Sequence, residues 1–206
     1  MMKRYLIYIS IASCLLLHPK ASAQNREVPL FDIAVEWSYV ASFHLASVQN
    51  FYAPEGYRIH RSSSELNYFT NAEVMVRPGI NLTPRWNLSA GFGVTGVHRK
   101  YTAVPITLRA THYFSSKPDK DRFLAYLDCG FGIHTGADSR AIFRGAIGGG
   151  YQLYLSRHAR LGFLLSIRST LFHPEVVLYG ESIAPGDINK NDALSTSVSI
   201  GMNLTF

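Results

Sequence analysis

The chain has 206 residues, with 20 Lys and Arg against 14 Asp and Glu, which gives a formal charge of +6 at pH 7. The basic residues are scattered singly and form no patch, and this distribution argues against a nucleic-acid-binding protein. The length suits one domain with a full core.

The first 23 residues have the three-part layout of a secretory signal peptide. Two basic residues precede the apolar run Tyr5 to Leu17, and the stretch ASAQ offers small residues before Gln24. We expect cleavage of residues 1–23, which leaves residues 24–206 as one exported domain with 17 of the 20 basic residues and a formal charge of +3. That domain contains a single cysteine, Cys129, so an internal disulfide or a cysteine-based zinc site is excluded.

Two other interpretations of the amino-terminal segment are less favoured. A transmembrane anchor needs roughly 20 apolar residues, and this run is shorter. The stretch IASC resembles a bacterial lipobox ending at Cys14, but the apolar run continues beyond that cysteine to Leu17. A cleaved signal peptide is therefore the prediction.

Apolar and polar residues then alternate in eight successive segments, a pattern that predicts an all-β chain. The segments are LFDIAVEWSYVASF (30–43), AEVMVRPGINL (72–82), those that start at Trp86, Val104, Phe123, Phe143 and Leu161, and the terminal SVSIGMNLTF (197–206).

The polar face of these segments carries glycines and isolated ionisable residues instead of the mixed polar surface of a strand in water. Buried charges must be paired, so we expect these residues to form an ion-pair network in a closed interior. The apolar faces then point outwards to lipid, and a bilayer requires closed β-structure. The sequence predicts an eight-stranded antiparallel transmembrane β-barrel with a filled polar lumen and no open diffusion channel. The expected network is Glu36, Glu73, Arg77, Arg109, Asp128, Arg144 and Arg168.

The connections between segments predict the orientation of the barrel. The two long ones, residues 46–68 and 173–192, fall on the same side, which is the extracellular side of bacterial barrels. Aromatic residues at the opposite strand ends predict a periplasmic girdle at the membrane interface. These residues are Phe31, Trp86, Phe114 and Phe123.

Taken together, the signal peptide, the eight alternating strands and the final Phe206 resemble the small bacterial outer-membrane β-barrels of the OmpA/OmpX type. The stretches YTAVPITLRATHYF and FLAYLDCGFGI carry the resemblance further, to outer-membrane β-barrel domain proteins. The resemblance implies residence in the outer membrane of a Gram-negative cell, in contact with its lipid and lipopolysaccharide. It also implies that the barrel-insertion machinery reads Met202, Leu204 and Phe206 as an address.

For function, we expect a non-catalytic structural or surface-interaction protein that needs no cofactor and no metal. Residues 46–68 and 173–192 are the candidate recognition surfaces for an extracellular partner, because exposed loops on a rigid scaffold often carry binding.

Two alternatives remain open. Some small barrels are lipid A acyl hydrolases, and His60, Ser62 and Glu73 loosely resemble their His, Ser and acidic constellation, although Ser63 stands where that family has Asn. A nucleophilic serine needs a base and an orienting acid within hydrogen-bond reach. The other alternative, a soluble secreted ligand-binding β-barrel, would turn its apolar faces inwards.

Overall fold

The computed structural model describes residues 28–98, 101–135 and 141–206, so the expected signal peptide lies outside the described residues. Within these ranges, no helix is long and apolar enough to cross a membrane. The strands are β1 (Phe31–Tyr52), β2 (Arg58–Thr83), β3 (Trp86–His98), β4 (Tyr101–Tyr113), β5 (Arg122–Thr135), β6 (Ala141–Ser156), β7 (Ala159–Phe172), β8 (Val177–Leu178), β9 (Glu181–Ser182) and β10 (Ile188–Thr205), with a 3₁₀ turn at Pro185–Asp187.

Eight of the strands close into a barrel in the order β1, β10, β7, β6, β5, β4, β3, β2, and β8 pairs separately with β9. All barrel pairings are antiparallel. The first and last strands close the ring, with Ala34 opposite Thr205. At the very end, Phe206 N donates to Ile33 O at 2.8 Å and Ile33 N donates to Phe206 O at 3.2 Å. The predicted eight-stranded antiparallel barrel is confirmed.

Apolar side chains cover the outside of the barrel, and polar side chains fill its inside. This arrangement is the reverse of a soluble barrel and is the one that lipid stabilises. The soluble alternative, which needs inward apolar faces, is therefore wrong. Exposed outward residues include Trp37, Val94, Leu108, Leu127, Phe143, Leu165 and Ile200, and buried inward residues include Ser38, Thr107, Gln152, Ser166 and Ser199.

Three strands, β1, β2 and β10, continue well beyond the apolar belt at the end of the barrel that is expected to be extracellular, so the predicted limits of the two long loops are wrong. Most of residues 46–68 is strand, since β1 ends at Tyr52 and β2 begins at Arg58. The turn between them is residues 53–57, with Gly56 at φ 87°. Both faces of this hairpin meet water over much of its length, so apolar alternation is missing and the strands could not be recognised by pattern.

The second expected loop, residues 173–192, is also shorter than predicted. It contains the small β8–β9 hairpin, and β10 already begins at Ile188. The connection proper is residues 173–187.

A β-bulge in β1 separates the barrel from the extension above it. The pairing register of β1 shifts between Ser42 and His44 against both of its neighbours. Below the bulge Ser42 is buried in the lumen, and above it Leu45 and Phe51 are the inward residues, as their contacts with apolar clusters indicate. One additional residue thus changes which positions of the strand face inwards.

Candidate functional site

The seven predicted lumen residues lie inside the barrel and form two separate ion-pair groups. We call Glu36, Arg77, Arg109 and Asp128 the lower layer, because they lie nearer the barrel end that is expected to face the periplasm. We call Glu73, Arg144 and Arg168 the upper layer.

In the lower layer, Arg77 joins two carboxylates and a hydroxyl. Its Nε donates to Glu36 Oε2 at 3.0 Å, and its Nη2 donates to Asp128 Oδ2 at 2.7 Å. Its Nη1 donates to Thr107 Oγ1 at 2.9 Å. Arginine offers five N–H donors in a fixed plane, so one side chain can link three strands in this way.

The second arginine of the lower layer, Arg109, binds the same two carboxylates. It donates to Glu36 Oε2 at 2.6 Å through Nη1 and to Glu36 Oε1 at 3.1 Å through Nη2. Its Nη2 also donates to Asp128 Oδ2 at 3.0 Å, and its guanidinium lies 4.1 Å from the centre of the Tyr126 ring. Two arginines and two carboxylates therefore make the lower layer neutral, which lowers the cost of burying them.

The upper layer is built on a single carboxylate. Glu73 lies four residues from Arg77 on β2, about 13 Å along the strand towards the cell exterior. Arg144 donates to both of its oxygens, at 2.5 Å and 3.3 Å, and Arg168 does so at 2.9 Å and 2.9 Å. All three side chains are buried.

Both layers fill the lumen with ionic cross-links among six of the eight barrel strands. The cavities around the layers are small, about 30 Å³ next to the lower layer and about 10 Å³ next to the upper one. Each is too small for a substrate, so this arrangement braces the barrel and closes its interior. Within the described ranges, no group of three or more His, Cys, Asp or Glu could hold a metal ion.

At the periplasmic end, the structure adds a third polar group that the sequence interpretation did not single out. Asp32 Oδ2 accepts from Asn81 Nδ2 at 2.9 Å and from Asn87 Nδ2 at 3.0 Å. Arg122 Nε donates to Gln152 Oε1 at 2.9 Å. These residues lie on the same inward faces as the seven predicted ones, so strand parity alone was the signal that could have found them.

Two glycines make room for the largest interior side chains. A Cβ at Gly91 would collide with Arg77 and Thr107, and a Cβ at Gly148 would come within 2.6 Å of the Tyr126 ring. These glycines are needed for close packing across the lumen.

The four residues of the predicted aromatic girdle are exposed at strand ends on the same side of the barrel, and their periplasmic location stays a prediction. Phe31, Trp86, Phe114 and Phe123 all have more than a third of their surface exposed. His112 lies between two of them, 4.6 Å from the Trp86 ring and 5.3 Å from the Phe114 ring between centroids. Phe123 contacts Tyr151, an additional member that the sequence interpretation missed, at 4.8 Å.

Residues Met202, Leu204 and Phe206 lie at the end of the closing strand. Phe206 is exposed, and Met202 and Leu204 are half-buried on the outer face, opposite Trp37 and Val35 of β1. Their position fits an exposed terminal motif, and their role in insertion stays a prediction.

The candidate hydrolase residues do not come together. His60 and Ser62 are exposed on the extracellular part of β2, on the face opposite Arg61, whose guanidinium lies 5.5 Å from the Phe51 ring centre. Glu73 is buried in the lumen and already bound by two arginines. The acid is therefore not available to orient a histidine base.

Above the barrel, the extended hairpin and the β7–β10 connection form a second folded unit, which we call the cap (residues 44–66 and 173–187). Its own apolar core consists of Phe51, Ala53, Val176, Leu178 and Ile183, with Ile59 and Ile188 packed against it. The connection is fixed to the barrel rim as well, because Glu175 N donates to the Tyr101 hydroxyl at 3.0 Å.

Three tyrosines stand exposed on the cap, at Tyr52, Tyr57 and Tyr179. A hydrogen bond with Tyr179 raises the pKa of the Tyr57 hydroxyl. Tyr179 has a backbone φ of 52° and is followed by Gly180 at 90°, so the β8–β9 turn holds a bulky residue in the left-handed region. Turns of this kind normally use Asn, Asp or Gly there.

No protein-family model and no curated protein matches the chain. Among solved structures, the outer membrane protein OprG from Pseudomonas aeruginosa aligns with a TM-score of 0.51 and 10% identity, over 88% of this chain and 99% of that chain. Neisserial surface protein A aligns with a TM-score of 0.43 and 10% identity, over 85% of this chain and 97% of that chain. The N-terminal β-barrel domain of Pseudomonas aeruginosa OprF aligns with a TM-score of 0.37 and 14% identity, over 84% of this chain and 97% of that chain. At 10% identity, the likeness to OprG is one of fold, that of the small outer-membrane β-barrels.

Proposed function

We propose that this outer-membrane β-barrel is a non-catalytic surface-interaction protein that binds an extracellular protein partner through its cap. The observation that carries the proposal is a set of three exposed tyrosines on a folded support, namely Tyr57 and Tyr179, which are hydrogen-bonded to each other, and Tyr52 at the end of β1. Tyrosine and arginine are enriched at protein interfaces and at binding hot spots. Arg58 lies opposite Tyr52 in the β1–β2 ladder, and Arg61 of the same strand is exposed.

The support under the tyrosines is preorganised. Phe51 is 0% exposed, and Val176 and Leu178 pack with it, so the hairpin and the connection hold each other in place. A surface that is already ordered loses less conformational entropy when a partner binds, which favours affinity.

The backbone at Tyr179 also supports a binding role. A non-glycine residue in the left-handed region costs of order 1–3 kcal/mol, and such strain clusters at functional positions. The strained residue here is 84% exposed, so its ring contributes almost nothing to packing within the chain. Contact of a partner with this ring would provide a functional reason for the strained backbone of the turn.

Two further partners follow from the surface chemistry. We propose that the outer face of the hairpin contacts lipopolysaccharide, because His60 of β2 and Lys190 of β10 flank Asn50 of β1, Arg58 lies two residues from His60, and these side chains suit anionic groups. We also propose that the barrel-insertion machinery binds the terminal strand that ends in Phe206.

The experiment is site-specific photocrosslinking in whole cells, with a photoreactive phenylalanine at Tyr179 and, as control, at Lys117 in the periplasmic turn. A protein captured only from Tyr179 is then purified and titrated against the wild-type barrel and the Tyr57→Ser/Tyr179→Ser double variant. We expect the double variant to weaken binding at least tenfold. Equal affinity of both barrels for that protein would overturn the proposal.

A further inference from the structure

The two ion-pair layers differ in charge. In the lower layer two arginines meet two carboxylates, whereas in the upper layer Arg144 and Arg168 share only Glu73. Arginine stays protonated in proteins, so the upper layer carries one net positive charge. A buried charge without a counter-charge is strongly unfavourable.

The carboxylates of the lower layer are bound by the arginines of that layer. Glu36 and Asp128 each accept hydrogen bonds from both Arg77 and Arg109. Asp128 Oδ1 accepts no hydrogen bond from a described residue, but the carboxylate still carries only one negative charge, so the two layers together have four positive charges against three negative ones.

A cavity of about 10 Å³ borders the upper layer, and its lining suits an anion. Both Arg144 and Arg168 line it, together with the hydroxyl residues Ser42, Thr95, Thr170, Ser195 and Ser197, and the rest of the lining is Val40, Gly96, Val97 and Ile142. Hydroxyl groups and guanidinium groups are hydrogen-bond donors, and the described lining includes no carboxylate.

Two buried donors in this group have no hydrogen-bond partner among the described residues. The Nε atoms of Arg144 and Arg168 are enclosed and make no hydrogen bond. The serine contacts are long, with 3.4 Å from Ser195 Oγ to Ser42 Oγ and 3.4 Å from Ser197 Oγ to the Arg168 carbonyl. Hydroxyl hydrogens can rotate, so these serines can turn towards a stronger acceptor.

We infer that the upper lumen is a binding site for one monatomic anion of chloride size, held by Arg144, Arg168 and the surrounding hydroxyls. The volume of the cavity is about that needed for one water-sized particle, so phosphate, sulfate and carboxylate ligands are too large. A chloride ion, which is somewhat larger than water, requires a small outward shift of the lining side chains. The anion supplies the charge that Glu73 alone does not, and the upper layer becomes neutral like the lower one.

The direct test uses bromide, whose anomalous scattering locates it in crystals of the barrel grown in sodium bromide. We expect one anomalous peak between the Arg144 and Arg168 guanidinium groups. A cavity without such a peak, filled by water only, would overturn the inference.

A solution test separates a specific anion from general salt effects. Thermal unfolding in detergent is followed while chloride replaces gluconate at constant ionic strength, because a ligand that binds only the folded state raises the midpoint. We expect a saturable rise for the wild type and none for Arg168→Met, in which Arg144 and Glu73 form a neutral pair. Equal midpoints in both salts for the wild type would contradict the site.

A pair of milder substitutions provides the same test in case Arg168→Met does not fold. Ser197→Ala removes one hydroxyl from the cavity lining, and Ser199→Ala removes an equally buried hydroxyl one inward position away that does not line it. We expect Ser197→Ala to weaken the apparent chloride affinity at least threefold and Ser199→Ala to leave it unchanged. The same affinity in both variants would count against binding at this cavity.

Discussion

Asp128 lies directly opposite Arg109 in the ladder between β4 and β5, and its Oδ2 accepts hydrogen bonds from the Nε and Nη2 of Arg109 at 3.1 and 3.0 Å. Replacing it by Asp128→Ala leaves Arg77 and Arg109 with one carboxylate between them. We expect the free energy of unfolding to fall by about 3–5 kcal/mol, the usual cost of breaking a buried ion pair. Urea unfolding in lipid vesicles measures it.

The control for this change is Asp119→Ala in the exposed turn after β4, which should alter stability by less than about 0.5 kcal/mol. A double variant that also replaces Arg109 by Met should recover part of the loss, since the unpaired charge is removed too. If Asp128→Ala and Asp119→Ala have the same free energy of unfolding, the ion pairs of the lower layer contribute nothing to stability.

Packing across the lumen predicts opposite results for two glycines. Gly91→Ala should lower stability by about 1–3 kcal/mol, because its Cβ would displace Arg77 from Thr107. Gly145→Ala should be neutral or slightly stabilising, since the nearest atom to its Cβ, the Asp128 carbonyl oxygen, lies 4.0 Å away. The shift of the urea unfolding midpoint is measured for each variant. An equal loss of stability in both would refute the packing argument.

The native cysteine of β5 can be used to determine which face of this strand contacts lipid. Cys129 is a free, exposed thiol on the lipid-facing side. A bimane label on Cys129 should be quenched most strongly by lipids that carry a spin label deep in the acyl chain. A matched cysteine facing the lumen, Thr107→Cys in a Cys129→Ser background, should be quenched weakly or fail to react, and equal quenching would invert the assigned faces.

The cap should open independently of the barrel. Phe51→Ala removes the central ring of the cap core, a change that typically costs about 3–5 kcal/mol. We expect amide hydrogen exchange to accelerate in residues 173–187 and to stay slow in the barrel ladder. Tyr52→Ala, on the exposed neighbouring position, is the control, and exchange that rises equally in both variants would argue against a cap core.

The terminal residue tests the insertion role carried by the family resemblance. Phe206→Ser keeps the backbone hydrogen bonds to Ile33, so the folded barrel should retain its stability, whereas assembly by the insertion machinery should slow severalfold. Phe123→Ser, another exposed girdle residue, is the comparison. Equal assembly rates of the two variants in a reconstituted insertion assay would remove Phe206 as a signal.

Strand alternation was sufficient to predict the barrel and its seven interior charges, because a closed lumen imposes a strict period of two on residues such as Arg77 and Asp128. Alternation could not predict which charges pair. Glu73 is 71 residues from Arg144 and 95 from Arg168 in the chain, and their approach depends on the stagger of the strands around the ring.

The position of the cap in the chain could be predicted from the sequence, but its structure could not. Residues 46–68 have the sequence pattern of a loop because much of the hairpin is solvated on both faces, with few inward residues such as Phe51 and Ile59, and the bulge at Ser42 has no sequence signature of its own. The unpaired charge of the upper layer was visible as four arginines against three acidic residues, but only the geometry assigns the excess to Arg144 and Arg168.

The bulge between Ser42 and His44 makes the two halves of β1 separable. Every cap residue of the hairpin lies beyond it, so the cap can change in length or sequence without moving any ladder partner inside the bilayer. The barrel then remains a constant support in the membrane, and the cap is the part that can vary. One protein could present a new surface to its surroundings while its membrane-embedded part stayed the same.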